Sequence, residues 1–493
     1  MPHATQPTYE IVILGAGFGG LGMAAQLKMQ GIDNFIILER GSRIGGVWRD
    51  NAYPGAACDT ESHLYCYSFY PHLRVSKMYA DREELLRYME SLAEHYALME
   101  HIKLDSELAQ ARWDESVQRW AFELADGTPL QGRFFVPAWG QLNKPAIPAF
   151  KGLDQFAGEH FHSAQWPADA QLAGKKVASI GAAASAVQYV PDVAREAAHL
   201  TVFQRSANWI MPRNQIVFTQ EQLDAFAARP ELFHESRRDL HAFRENGFAR
   251  TRHGTDAQQE GIKMASGHLA AQVPDLELRA KLTPDYEFAC KRILRSDDYY
   301  PALMRSNVSL ETAAVDHFVP EGIVDKNGTL HVLDVVIFGT GFESQAFQGD
   351  LQVIGRDGQT LHQRWKDGAE AYLGMTVPGF PNMFMIYGPN TNLNHNSIIT
   401  MLEIQQRYII QAVQALPGQA VDVKEEAFNA YNDALQTNMQ SSAFSSDCSS
   451  WYKNAAGKVI NNWSGTVDEY RALAARWQPA DYELLGARSA VAS

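Results

Sequence analysis

Ile11-Val-Ile-Leu14 is an unbroken apolar run with no polar alternation, which predicts a strand buried on both faces. It leads into Gly15-Ala-Gly17-Phe-Gly-Gly20 and then into a helix-like stretch, Leu21 to Gln30, stopped by Gly31. A second apolar run, Phe35-Ile-Ile-Leu38, ends at Glu39. Strand, glycine turn, helix, strand, acid is the order that a Rossmann unit requires. Gly15, Gly17 and Gly20 let the backbone turn tightly and approach a pyrophosphate at a helix N-terminus, and Glu39 is expected to accept hydrogen bonds from a ribose. The glycine motif alone is a weak signal; its setting between a strand and an acid makes it specific.

The unit recurs. Val177-Ala-Ser-Ile180 leads into Gly181-Ala-Ala183-Ala-Ser185-Ala186, Val187 to Ala198 has helical character, and Leu200-Thr-Val-Phe203 predicts another strand. At the spacing where the first unit offers Glu39, the second offers Gln204-Arg205-Ser206. An acid suits a free ribose 2′-hydroxyl and repels a 2′-phosphate, whereas an arginine and a hydroxyl suit the phosphate. The first site is therefore expected to take FAD or NAD and the second NADP. Ala183 stands where the middle glycine is expected, so its methyl would push the pyrophosphate slightly outward. A third strand ending in a glycine turn is predicted over Leu333-Asp-Val-Val-Ile-Phe338-Gly-Thr-Gly-Phe342.

Elsewhere the pattern predicts a helix over Asp81 to Met99, with Asp81 and Glu84 at capping-box spacing. Leu108–Trp113 and Trp120–Leu124, followed by Ala125-Asp-Gly127, predict hairpin strands. Glu221 to Lys281 is rich in Ala, Glu, Arg and His and poor in β-branched residues, which predicts helices interrupting the second unit. Phe384-Met-Ile-Tyr387 predicts a strand, Ile398–Leu416 a helix, and Ser441–Ser450 a mobile serine-rich loop.

Composition narrows the partners. The 493 residues are 46% hydrophobic and 20% charged, ordinary globular usage, and a net charge of −14 argues against nucleic acid or an anionic membrane. Four cysteines are too few for a disulfide framework, and Cys58 and Cys66 are expected to be ordinary buried thiols. Met1–Thr8 is short and polar, so no secretory signal is expected, and no apolar run is long enough to span a membrane. A cytoplasmic location, as a monomer or homodimer, is the expectation. No metal site is expected: the sixteen histidines form no HExxH, and His160 and His162 are poorly spaced for one ion.

Phe156-Ala-Gly158-Glu-His-Phe-His162-Ser-Ala-Gln-Trp166-Pro167 matches the pattern FxGxxxHxxxWP. On that segment the chain resembles the type I Baeyer–Villiger monooxygenases, class B flavoprotein monooxygenases. The resemblance extends to Gly45-Gly46-Val47-Trp48, to Tyr53-Pro-Gly-Ala-Ala-Cys-Asp59-Thr-Glu-Ser62, and to Tyr65-Cys-Tyr67-Ser-Phe69. It continues through Lys291-Arg292 before Tyr299-Tyr300, Gly388-Pro-Asn390, His395-Asn-Ser397, and Ser450-Trp451-Tyr452 with Gly457-Lys458, so it covers nearly the whole chain. Departures are Ala183, Phe338-Gly339, and Ala138-Trp139-Gly140 in place of an Ala-Thr-Gly turn.

The resemblance implies an α/β fold of two Rossmann-like dinucleotide-binding domains with an inserted helical subdomain. FAD would occupy a domain of residues 1–145 and 376–493, NADPH a domain of 146–219 and 286–375, and the helical insert would span 220–285. Val47, Trp48, Asp59 and Tyr65 would belong to the flavin site, with the fingerprint on the linker between domains. NADPH would reduce the flavin, O2 would be trapped as a C4a-peroxyflavin, and that peroxide would convert a ketone to an ester or lactone, with sulfoxidation as a side activity. Holding an anionic peroxide calls for a cation that never gives up its proton, which points to Arg292; Asp59 matches the carboxylate that offsets its burial. Lys291 would face the 2′-phosphate beside Arg205 and Ser206, His162 would orient by hydrogen bonding, Trp166 and Pro167 would pack, and Trp451 would act as a lid. Two alternatives stand beside this. A flavin-containing N- or S-monooxygenase is disfavoured by the fingerprint and by Arg292, because heteroatom oxygenation needs a protonated hydroperoxide. A non-catalytic dinucleotide-binding redox sensor has Ala183 as its support.

Overall fold

The structure is a computed structural model that describes residues 7–345 and 347–486. The first residues of the polar opening segment, 1–6, lie outside the described residues. Two sheets organise the chain. The first has seven strands, in the order Gln352–Ile354, Leu108–Asp114, Arg119–Leu124, Pro129–Pro137, Thr8–Leu14, Phe35–Leu38 and Ile102–Lys103. Its last four run parallel, and Leu108–Asp114, Arg119–Leu124 and Pro129–Pro137 form an antiparallel meander. Ile11, Val12 and Ile13 are all fully buried, because helices cover one face and the aromatic layer of Trp113, Trp120, Phe122 and Phe135 covers the other.

The second sheet is parallel throughout, in the order Val308–Glu311, His199–Phe203, Lys176–Ile180, Val335–Phe338 and Glu159–His162. Its central strands Lys176–Ile180 and Val335–Phe338 are buried on both faces. The fingerprint is therefore not a free linker: His160 to His162 lie in the edge strand, in register with Val336 to Phe338. Gly158 has to be a glycine, since a Cβ there would overlap the Asp334 carbonyl and the Phe156 ring.

Two crossing segments join the sheets and pair with each other. Ala146 N–H donates to Gly341 O at 2.9 Å, Glu343 N–H to Lys144 O at 2.9 Å, and Thr340 Oγ1 to Ala146 O at 2.6 Å. Each crossing starts against a nucleotide turn: a Cβ on Gly15 would sit 2.7 Å from Ala138 O, and one on Gly181 would overlap Gly339 O. Both glycines hold positive φ, +102° and +111°. The chain is back in the first sheet by Gln352–Ile354, which pairs with Gln110 to Arg112, so the expected division at 375/376 falls too late.

Helices Gln220–Ala228, Pro230–Asn246, Asp256–Gln272 and Leu276–Lys281 form the insert. It is bolted to the first unit rather than freestanding. Arg237 donates to the carbonyls of His63 and Cys66 at 2.9 and 2.8 Å, and Arg244 donates through Nε to Glu61 at 2.7 Å. Three expectations need correction. The helix ends at His95, because Ala97 takes φ +51°; Asp81 caps it, but Glu84 turns away to Ser76 instead of closing a capping box. Phe384–Tyr387 is not a ladder strand; it follows Pro129–Pro137 through two bonds, Phe384 N–H to Phe135 O and Ile386 N–H to Pro137 O, between positive-φ bends at Asn382 and Tyr387. The serine-rich segment is pinned: Ala443 and Phe444 are buried, and a disulfide joins Cys448 to Cys290. Among the described residues, no helix is long and apolar enough to cross a membrane.

Candidate functional site

A cavity of about 1320 Å³ opens at the carboxyl ends of the parallel strands of both sheets. Leu14, Gly15, Leu38 and Glu39 line it from one side and Ile180, Gly181, Phe203 and Gln204 from the other, the position where open α/β sheets take ligands. The cradle fits a dinucleotide at both turns. Gly17 needs no glycine for packing, since its nearest neighbour to an added Cβ is Gly46 Cα at 3.7 Å; the space it leaves faces the cavity. Gly20 is buried, and a Cβ there would overlap the Gly15 carbonyl. In the second turn Ala183 is exposed toward the same cavity, Ser185 lines it, and Ala186 is fully buried where helix meets sheet.

Glu39 is more occupied than expected. Its carboxylate accepts from Ala16 N–H, Gly41 N–H and Arg49 Nη1, each at 2.8 Å, so it pins the glycine turn and leaves one acceptor direction free. Val47, Trp48 and Tyr65 line the cavity beside it, with Trp48 Nε1 donating to Tyr65 Oη at 3.3 Å. At the second unit, Arg205 and Ser206 converge with Lys291, whose Nζ donates to Ser206 Oγ at 3.1 Å. Burial lowers the Lys291 pKa and the Arg205 charge lowers it further, the electrostatic mark of a place that an anion would relieve.

Arg292 and Asp59 meet across the two halves of the chain. Arg292 Nη2 donates to both Asp59 oxygens, at 2.8 and 2.7 Å, and Nε reaches Oδ2 at 3.2 Å. About 30% of each side chain remains exposed, on the cavity wall. Asp59 raises the Arg292 pKa against the opposing effect of burial; burial pushes the Asp59 carboxyl up, but Arg292, Arg244 and Arg295 together hold it below its ordinary value. The guanidinium therefore stays charged at any working pH.

The fingerprint side chains do not line this cavity. Phe156 packs on Phe318, and Trp166 sits against Phe161 and Tyr189. His162 is buried under the second crossing with its ring edge-on to Phe342; Nδ1 accepts from Ala164 N–H at 3.1 Å, which puts the proton of the neutral ring on Nε2. Burial lowers its pKa, with the facing Gly341 backbone acting the other way. Trp451 lines the cavity and packs on Tyr452, and the disulfide three residues before it anchors its loop to Cys290, beside Lys291 and Arg292. Cys58 and Cys66 are free and buried, and burial and Asp59 push the Cys58 thiol up to about 12. Among the described residues, two clusters are of metal-ligand type, His241/Glu245/Asp468 and Glu311/Asp325/His331; none of these side chains lines the cavity, and in each the histidine is hydrogen-bonded to the aspartate.

Sequence reasoning missed Arg49, the disulfide, and the arginines behind Asp59. Arg213 donates to Cys58 O at 3.1 Å, Arg244 pairs with Glu61, and Arg295 lines the cavity. The available signal for Arg295 was the density of cations in Lys291-Arg292-Ile-Leu-Arg295.

Comparison with known proteins agrees with this geometry. The family described as pyridine nucleotide-disulphide oxidoreductase matches residues 12–225. A Baeyer–Villiger monooxygenase of Streptomyces coelicolor is 38% identical over 96% of this chain and 92% of its own length. An oxidised steroid monooxygenase bound to NADP superposes with a TM-score of 0.85 at 29% identity, covering 97% of this chain and 99% of the other. A structure of OTEMO with FAD and NADP gives 0.87 at 25% identity, covering 97% and 100%.

Proposed function

This chain belongs to the Baeyer–Villiger monooxygenases, and from that premise we propose that it uses NADPH and O2 to insert one oxygen atom beside a ketone carbonyl, giving an ester or lactone, with sulfoxidation as a side activity. Its cofactors are FAD and NADPH. When bound, the flavin, reduced by NADPH, activates O2 and supplies the inserted oxygen. The roles of the chain's own residues follow from their chemistry. Gly15, Gly17 and Gly20 cradle the flavin pyrophosphate, Glu39 takes the ribose with its remaining acceptor direction, and Val47, Trp48 and Tyr65 wall the ring side. Gly181, Ala183, Ser185 and Ala186 form the corresponding NADPH turn, with Arg205, Ser206 and Lys291 on the 2′-phosphate. In this scheme the flavin unit comprises 1–145 and the chain from the strand at 352 onward, the NADPH unit 146–219 and 286 to the second crossing, and the insert 220–285.

Arg292 carries the reading. A guanidinium held bidentate by a buried-side carboxylate cannot donate its proton, so it holds fixed positive charge where negative charge develops on oxygen. That electrostatic setting favours attack on a carbonyl carbon over heteroatom oxygenation, which needs a proton at the same place, so sulfoxidation stays a side activity. Trp451 closes the nucleotide side, and His162 braces the second crossing between the two units. The test is product analysis with a panel of linear, cyclic and aryl ketones, NADPH and air, on protein that purifies yellow. Esters or lactones support the reading. NADPH consumption that yields hydrogen peroxide with every ketone and no ester overturns it.

A further inference from the structure

Behind the Arg292–Asp59 pair lies a second cavity, of about 50 Å³. It shares Asp59, Thr60, Arg292, Arg295, Leu393 and Asn396 with the large one, so the two adjoin at the place where a ketone carbonyl would face Arg292. Its far wall comes from the helical insert, through Arg250, and from the turn at Asn394.

The charges around it do not balance. Arg292 is matched by Asp59 and Arg244 by Glu61. The side chains of Arg295 and Arg250 make no hydrogen bond or ion pair among the described residues, although both residues line the cavity. Burial and the Arg244 charge lower the Arg295 pKa; Tyr79, Glu61 and Asp59 oppose this only in part, and the two carboxylates are already paired with Arg244 and Arg292. Asn394 adds a second unmet demand: its side-chain nitrogen and oxygen are both buried without a hydrogen-bond partner. Buried polar groups are ordinarily satisfied, and an arginine fork is shaped for a carboxylate. We propose that this cavity receives a carboxylate of the substrate, so that the preferred ketones are keto acids, held by Arg295 and Arg250 with the Asn394 amide donating. The substrate class rests on the oxygenation reading above; the anion site rests on these side chains alone.

Two readouts test it. The first is kcat/KM for a keto acid against its own methyl ester. The intact enzyme should prefer the acid by about tenfold or more, the selectivity that one charge-assisted pair supplies. Arg295→Met should bring that ratio towards one, and Arg295→Lys should restore part of it. The second is calorimetric binding of hexanoate, which has no ketone, to the enzyme loaded with FAD and NADP⁺: hexanoate should bind, hexanamide should not, and Arg295→Met should abolish the difference. A ratio at or below one in the intact enzyme, a ratio unchanged in Arg295→Met, or equal binding of hexanoate and hexanamide overturns the proposal. If Arg295→Met does not fold, the ratio and the binding of the intact enzyme decide. Neutral ketones oxidised without acid preference sink the anion site and leave the oxygenation reading standing. Arg295-dependent hexanoate binding with no ketone oxidised does the reverse.

Discussion

Gly17 and Gly20 stand in one turn and are glycine for different reasons. Gly20 is required by the protein, because any Cβ would strike Gly15 O; Gly17 is required only by what lies in the cavity. Gly17→Ala is therefore expected to fold with a normal circular dichroism spectrum and bind FAD at least about tenfold more weakly, whereas Gly20→Ala fails to accumulate as folded protein. The same logic makes Ala183 informative. Its methyl is exposed to the cavity, so Ala183→Gly should lower the KM for NADPH, and an unchanged KM would show that the nucleotide does not approach that turn. At the phosphate corner, Arg205→Ala should cut the preference for NADPH over NADH by about 10- to 100-fold, as expected for loss of a charge-assisted bond, measured as the ratio of kcat/KM values. Single residues of this kind were legible because each motif pairs a residue type with a spacing. Arg295 was not, since the cation density of residues 291–295 is a local signal without a spacing rule, and this side chain meets its neighbours only after the insert has folded over Asp59 and Glu61.

At the scale of elements, local pattern located the strands buried on both faces and the long helix Ile398–Ala415, whose cores need no partner to be recognised. It failed where tertiary contacts override composition. Ser441–Ser450 has the polarity of a loose loop, but Ala443 and Phe444 are buried, Ser442 bonds Thr251, and Cys448 is tied to Cys290. A disulfide over that sequence separation leaves no spacing signature. It links the loop bearing Trp451 to the segment bearing Lys291 and Arg292. Cys448→Ser, or dithiothreitol on the intact enzyme, is expected to raise the KM for NADPH several-fold without loss of bound flavin. Equal KM values in the oxidised and reduced protein would show that the tether does not hold the lid.

For the whole molecule, the double nucleotide layout was readable from the two repeated units, while the way they are joined was not. The crossings bond to each other and press on Gly15 and Gly181, an arrangement set by long-range pairing that a one-dimensional pattern does not carry. The insert is fastened to the first unit partly through His63, a neutral imidazole stacked on Phe218 and packed against Phe233, with Nδ1 2.9 Å from Ser236 Oγ. Burial, with His72 and Arg237 adding, pushes its pKa down to about 4. The unfolded chain binds that proton near 6.5, so stability is full above about pH 6.5 and falls by up to ~1.4 kcal/mol per pH unit as the pH drops towards 4. Thermal unfolding should show a smaller loss of midpoint between pH 7 and pH 5 in His63→Gln than in the unaltered protein; parallel losses would assign the acid sensitivity elsewhere. The two units and the insert together bring Asp59, from the first unit, onto Arg292, at the edge of the second. The most direct measurement is single-turnover kinetics of Arg292→Ala with NADPH, a ketone and O2: flavin reduction should proceed at near the normal rate while ester formation disappears, and an undiminished ester yield would remove the guanidinium from the chemistry.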